Sequence, residues 1–260
     1  MPDYSLLDKP IFIRFMFYPR QDTTPCPENA FDLPVRVDEN ASISCRFYPG
    51  DAAWPWLIYF HGNGEVVSDY DDLASLYNRI GINIAVADYR GYGASSGNPS
   101  FTSMLKDAKS IFTAVKEQLA ARGYNQELWV MGRSLGSLSA LELARLYPED
   151  LRGLIIESGF ADASRVMNHN GHFPAELLQT RFHQECLEEV SKITIPALVI
   201  HGEEDYIVPV EEAQVIFEHL GTPNKKLLLI PMAGHNDLMF LGFKQYFKAI
   251  QEFVSGSPEG

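Results

Sequence analysis

Cysteine is scarce in this chain of 260 residues, with only Cys26, Cys45 and Cys186. An odd, sparse set without CxxC spacing argues against a disulfide framework and against a zinc site, and fits free thiols in a reducing, cytoplasmic compartment. Positive charge is also in deficit: 21 Lys+Arg stand against 34 Asp+Glu, a formal net charge of -13. That balance repels a polyphosphate backbone and the anionic face of a membrane, so nucleic acid is not an expected partner. No run of Lys and Arg reverses it locally. Long apolar runs are missing too. The stretch Ile11 to Tyr18 is interrupted by Arg14 and stopped by Pro19, too short to span a bilayer, and Asp3 and Asp8 before it do not suit a secretion signal. No internal repeat or low-complexity tract occurs, and only the tail Ser255 to Gly260 reads as loose.

What is present is an ordinary globular mix, 46% hydrophobic and 21% charged, enough to bury a sizeable core. Pro19 to Pro34 carries four prolines and reads as an irregular connection. Val35 to Phe47 alternates around Glu39-Asn40 as a hairpin would. Short apolar runs then recur between helical stretches: Trp56 to Phe60, Ile82 to Ala87, Leu128 to Met131, Leu154 to Ile156, Ala197 to Ile200 and Leu227 to Ile230. Parallel strands with crossover helices produce that pattern. Met104, Leu105, Ala108, Ile111, Phe112, Val115 and Leu119 form one helical stripe ended by Gly123. Further helices are expected over Leu135 to Tyr147, from Val210, and from about Asn236 to Val254. The alternation is continuous, so the chain reads as one doubly wound α/β domain over residues 1–260: a mostly parallel central sheet with helices on both faces. Residues from about 160 to 195, between two strands, read as a small cap of one or two helices bearing Met167, Phe173, Leu177, Leu178 and Phe182 over a fairly open site.

Between the Leu128 run and the next helix lies Gly132-Arg133-Ser134-Leu135-Gly136. A strand, a GxSxG turn and a helix make a nucleophile elbow, in which the glycines leave out Cβ atoms that would block a tight bend. A serine hydroxyl needs an imidazole to take its proton and a carboxylate to fix the imidazole tautomer. His235, in the segment after the Leu227 to Ile230 strand, and Asp205, after the Ala197 to Ile200 strand, both fall on the rim that carries the elbow. The order Ser134, Asp205, His235 is the order this architecture uses. Two backbone N–H groups must face the developing oxyanion. Leu135 supplies one, and the loop His61-Gly62-Asn63-Gly64 supplies the other, assigned to Asn63 with Gly64 as the alternative.

Three stretches carry a wider resemblance: Tyr59 to Gly64, Asp88 to Gly97 and Gly132 to Gly136. Together they resemble the small α/β-hydrolase-domain serine hydrolases grouped with the S33 serine aminopeptidases. The similarity runs from Phe17-Tyr18-Pro19-Arg20 to Gly234-His235-Asn236-Asp237. Fold and triad are implied by it; substrate is not, since such proteins include esterases, thioesterases such as protein depalmitoylases, and peptidases. The cysteine cluster that anchors membrane-bound depalmitoylases has no counterpart here, so no stable membrane anchor is expected. Ser137 stands where many relatives have a second glycine.

Other polar residues have plainer readings. His61 and His201 precede glycines at strand ends and are expected to fix their loops. Asp88, Tyr89, Arg90 and Tyr92 read as loop scaffold. His169 and His172 lack a third ligand at suitable spacing, and no metal or cofactor is expected. Glu157 competes with Asp205 for the acid role, and Arg133 is expected to be buried and paired. The expected activity is hydrolysis of a carboxylic ester or thioester through an acyl-enzyme on Ser134. The alternatives are a peptidase or amidase acting on short peptides, and a binding protein that keeps the fold without turnover. The partner is then a small-molecule, acyl or peptide substrate, and a monomer is favoured.

Overall fold

The computed structural model describes residues 2–171 and 180–256. In chain order the elements are α1 (Pro10–Met16), β1 (Phe31–Arg36), β2 (Ser42–Tyr48), β3 (Trp56–Phe60), α2 (Ala74–Arg79), β4 (Asn83–Ala87), α3 (Phe101–Arg122) and β5 (Leu128–Arg133). Then come α4 (Ser137–Leu146), β6 (Leu151–Glu157), α5 (Ala163–His169), α6 (Thr180–Ser191), β7 (Ala197–Gly202), α7 (Val210–His219), β8 (Lys225–Ile230), α8 (Leu238–Leu241) and α9 (Phe243–Ser255). The eight strands form one sheet in the order β1-β2-β4-β3-β5-β6-β7-β8. β2 pairs antiparallel with β1 and β4, and every other pairing is parallel.

Side-chain alternation divides the core between the two faces. Trp56, Ile58 and Phe60 of β3 pack with Met104, Ala108, Ile111 and Val115 of α3 and with Leu138 and Leu143 of α4. Leu57 and Tyr59 of the same strand pack on the opposite face with Tyr77 of α2 and Tyr246, Phe247 and Ile250 of α9. All five β3 residues are buried, as a central parallel strand covered on both sides must be. Order reverses at β3: the chain passes from β3 out to β4, then crosses back to β5 on the other side. The carboxyl ends of β3 and β5 are therefore the switch point of the sheet, where such folds form a crevice.

Three elements differ from the sequence pattern. β1 begins at Phe31, inside the proline-rich connection, and Pro34 is a strand residue paired with Ser44. β1 lies at one edge of the sheet, where a residue lacking an N–H is tolerated. The final helix is two helices, α8 and α9, meeting at Gly242. A Cβ there would lie 2.7 Å from Ile230 Cγ2, so this close approach to β8 sets the bend. α1 was not legible as a helix, although Pro10 occupies its favoured first-turn position. In the expected cap, α5 and α6 carry Met167 and Phe182, both buried, whereas Phe173, Leu177 and Leu178 lie outside the described residues. His172 and the end of the C-terminal tail, 257–260, lie outside them as well. Among the described residues no helix is long and apolar enough to cross a membrane.

Candidate active site

β5 delivers Ser134 at a sharp turn. The strand ends at Arg133, a single 3-10 turn covers Ser134 to Gly136, and α4 begins at Ser137. Ser134 has φ of 51°, a left-handed conformation uncommon for a residue with a side chain. Both flanking glycines are sterically required. A Cβ on Gly132 would lie 2.6 Å from the Gly136 carbonyl carbon, and one on Gly136 would lie 2.7 Å from the Phe60 carbonyl carbon. Ser137 secures the turn: its Oγ lies 2.7 Å from the Ser134 carbonyl oxygen and accepts the Phe160 N–H at 3.1 Å. A glycine at 137 could make neither bond.

The loops following β7 and β8 bring up the other two side chains. His235 Nε2 lies 2.9 Å from Ser134 Oγ, and His235 Nδ1 lies 2.7 Å from Asp205 Oδ2. Asp205 Oδ1 accepts the N–H groups of Ile207 and Val208 at 2.9 and 2.8 Å, which fixes the carboxylate plane. Burial alone would push the Asp205 carboxyl up, but hydrogen bonds from His201 and His235 and the Val208 N–H hold it well below the usual carboxylate range. The carboxylate is thus kept ionised beside the imidazole. A histidine flanked in this way can accept the serine proton and carry the resulting positive charge next to a fixed anion.

The loop after β3 forms the opposite wall. Ser134, Leu135 and Asn63 line one cavity of about 340 Å³ together with His235, Met167 and Tyr18. Asn63 Oδ1 accepts the Tyr18 N–H at 2.9 Å and the Tyr92 hydroxyl at 2.7 Å. Arg20 donates to the Gly64 carbonyl at 3.2 Å and pairs with Asp69. The segment Phe17-Tyr18-Pro19-Arg20 therefore straps the loop from outside. Phe15 and Met16, at the end of α1, line the same cavity. Phe17-Tyr18-Pro19-Arg20 falls within the family resemblance, but only the fold shows that this segment, with Phe15 and Met16, closes over the site.

The remaining polar residues hold the frame. His61 is buried, with Nδ1 2.8 Å from the Gly62 carbonyl and Nε2 3.1 Å from Asp88 Oδ1. Asp88 also accepts the Val67 N–H at 3.0 Å, and Tyr89 donates to the His61 carbonyl at 2.5 Å. Arg90 pairs with Asp107 and Asp38. His201 Nε2 lies 2.9 Å from the Val208 carbonyl, and His169 Nε2 lies 3.2 Å from that of Tyr206. Glu157 is held by partners other than His235. It accepts the Tyr246 hydroxyl at 2.6 Å and Arg133 Nε at 3.2 Å.

Of the residues singled out from the sequence, Ser134, Asp205 and His235 are joined by hydrogen bonds across 101 and 30 residues of chain. Asn63 and Leu135 share their cavity. A profile of the serine aminopeptidase S33 family matches residues 54–184 and 168–239. The chain belongs to that family. Among curated relatives of this S33-family hydrolase, human alpha/beta hydrolase domain-containing protein 17B is 32% identical over 227 residues, 85% of this chain and 74% of the relative. The uncharacterized protein YfhR of Escherichia coli K12 is 28% identical over 235 residues, 87% of this chain and 81% of the relative. Among solved structures, an esterase of Pyrococcus furiosus superposes with a TM-score of 0.76 at 19% identity, covering 92% of this chain and 98% of that one. At that identity the likeness is one of fold, which is the α/β-hydrolase fold.

Proposed function

We propose that this S33-family hydrolase cleaves a carboxylic ester or thioester by transfer of the acyl group to Ser134 and then to water. The observation that carries the reading is the continuous hydrogen-bonded line from Ser134 Oγ through His235 to Asp205, at 2.9 and 2.7 Å. In the first step His235 Nε2 takes the hydroxyl proton as Ser134 Oγ attacks the carbonyl carbon, and Asp205 stabilises the imidazolium. The oxyanion then forms beside the Leu135 and Asn63 N–H groups, the pair assigned to stabilise it. His235 returns its proton to the leaving group, the acyl-enzyme remains, and a water activated by the same imidazole releases the acid.

The cavity of about 340 Å³ at Ser134 shares Glu65, Arg133, His235 and Asn236 with a second of about 500 Å³, volumes ordinary for ligand pockets and compatible with a small acyl substrate. The esterase fold neighbour fits this reading. The family description, serine aminopeptidase, favours a second one, in which the scissile bond is an amide of a short peptide. Kinetics with matched p-nitrophenyl ester, thioester and aminoacyl p-nitroanilide substrates separate the two. Ser134→Ala is the direct test of the shared chemistry: turnover of p-nitrophenyl butyrate and labelling by a fluorophosphonate should both vanish while the thermal unfolding midpoint stays within a few degrees. A variant that still turns over at the wild-type rate rules Ser134 out as nucleophile.

A further inference from the structure

Arg133 occupies the variable position of the elbow, one residue before Ser134, and its guanidinium touches three segments of the rim at once. Nη2 donates to the His235 carbonyl at 2.9 Å and to Asn236 Oδ1 at 3.0 Å. Nη1 pairs with Glu65 Oε1, and Nε donates to Glu157 Oε1 at 3.2 Å. Glu65 in turn accepts the Gly62 N–H at 2.8 Å through Oε2, in the loop that carries Asn63. The path thus runs from the loop facing the developing oxyanion, through Glu65 and Arg133, to the backbone of the catalytic histidine. Its members are tightly fixed: Tyr70 donates to Glu65 at 2.8 Å and Tyr246 to Glu157 at 2.6 Å. Arg133 and Glu157 side chains are only 12% and 3% exposed and that of Glu65 27%, so the Arg133–Glu157 bond is the best shielded from water.

Gly62 supplies a separate sign that the path is built in. A Cβ at that position would collide with Arg133 Nη1 and lie 3.2 Å from Glu65 Oε1. Only a residue without a side chain lets the guanidinium sit beneath the loop.

We infer that Arg133 is a positioning residue, a bridge that holds the His235 backbone in register with the Asn63 loop through the Glu65 carboxylate. The inference rests on the serine-hydrolase reading above. The bridge touches no reacting atom, and its effect is geometric: a triad histidine and an oxyanion donor must reach the same carbonyl from opposite sides. A displacement of about 1 Å in such a site costs on the order of 100-fold in rate. Lysine does not replace arginine here, because one ammonium cannot serve the carboxylate and the carbonyl in fixed directions at once.

The test is steady-state hydrolysis of p-nitrophenyl butyrate by the full chain, with fluorophosphonate labelling counting correctly folded sites. Arg133→Met should lower kcat per labelled site by about 10- to 100-fold with KM changed less than about threefold, and Arg133→Lys should not restore it. Glu65→Gln keeps an oxygen for Gly62 while losing the charge, and should lower kcat about 10-fold even if Arg133→Met proves insoluble. Their effects should be less than multiplicative in the double variant, because both cut one path. A kcat per labelled site within threefold of wild type in Glu65→Gln or Arg133→Met overturns the bridge, as do full rescue by Arg133→Lys and multiplicative effects. If Ser134→Ala itself retains turnover, the serine-hydrolase reading falls and takes the bridge with it. An inert Ser134→Ala beside a fully active Arg133→Met overturns the bridge alone.

Discussion

Replacing Asp205 by Asn keeps the side-chain volume and removes one acceptor and one charge. In the native site four groups surround the carboxylate: the N–H groups of Ile207 and Val208 on Oδ1, and His235 Nδ1 and His201 Nε2 on Oδ2, the last at 3.3 Å. His201 Nε2 also faces the Val208 carbonyl at 2.9 Å, which can only accept, so this nitrogen carries a hydrogen. All four groups are therefore donors, and a carboxylamide offers them a single oxygen. If that oxygen stays on Ile207 and Val208, the amide NH2 faces His235. The imidazole must then turn a lone pair to it and place its proton on Nε2, pointing at Ser134. If the amide flips, two loop N–H groups lose their acceptor, at about 1–3 kcal/mol each. The wrong tautomer is expected to lower kcat by about 10,000-fold, roughly 5 kcal/mol of barrier. Steady-state hydrolysis of p-nitrophenyl butyrate measures the first effect, and thermal unfolding the second. The same variant has a pH signature. The native carboxyl is depressed, so its stabilisation is complete above the unfolded value of about 3.9 and is lost as pH falls through the lower folded value. Wild type should therefore lose more stability on acidification than Asp205→Asn. Activity within tenfold of wild type, together with parallel stability curves below pH 5, refutes this account of Asp205.

Two further outcomes follow from packing. Gly136→Ala forces a Cβ into the backbone of β3 and should destabilise the fold by about 3 kcal/mol, with loss of fluorophosphonate labelling, as read by urea unfolding; a neutral result contradicts the crowding described at the elbow. Cys45 and Cys186 are buried, and burial pushes both thiols up, so a thiol reagent at pH 8 should titrate at most the half-buried Cys26 rapidly and all three only in guanidinium. Rapid reaction of two or more thiols in the native protein contradicts the packing of β2 or α6.

The residues that could be read in advance were those whose chemistry and spacing are local. Ser134 lies in a five-residue pattern whose glycines are dictated by the bend, and the apolar runs at β3, β4, β5, β6 and β7 follow from burial of strands on both faces. Asp205 and His235 could be named because each sits just beyond such a run, on the rim where parallel strands deliver their loops. β1 was half hidden because Pro34 signals a turn in any one-dimensional reading, and only its place at the sheet edge lets it pair.

What no linear pattern could determine was which side chains meet across the sheet. The sequence by itself determined the alternation of strands and helices, the strained turn and the chemical types available to a site. The tertiary structure alone decided that Tyr18 caps Asn63, that Ser137 ties the elbow to Phe160, and that Arg133 reaches His235 while Glu157 turns to Tyr246. The physical reason is range. Propensity and periodicity act over a few residues, whereas these hydrogen bonds close loops of 23 to 102 residues and form only once burial has fixed the elements that carry them.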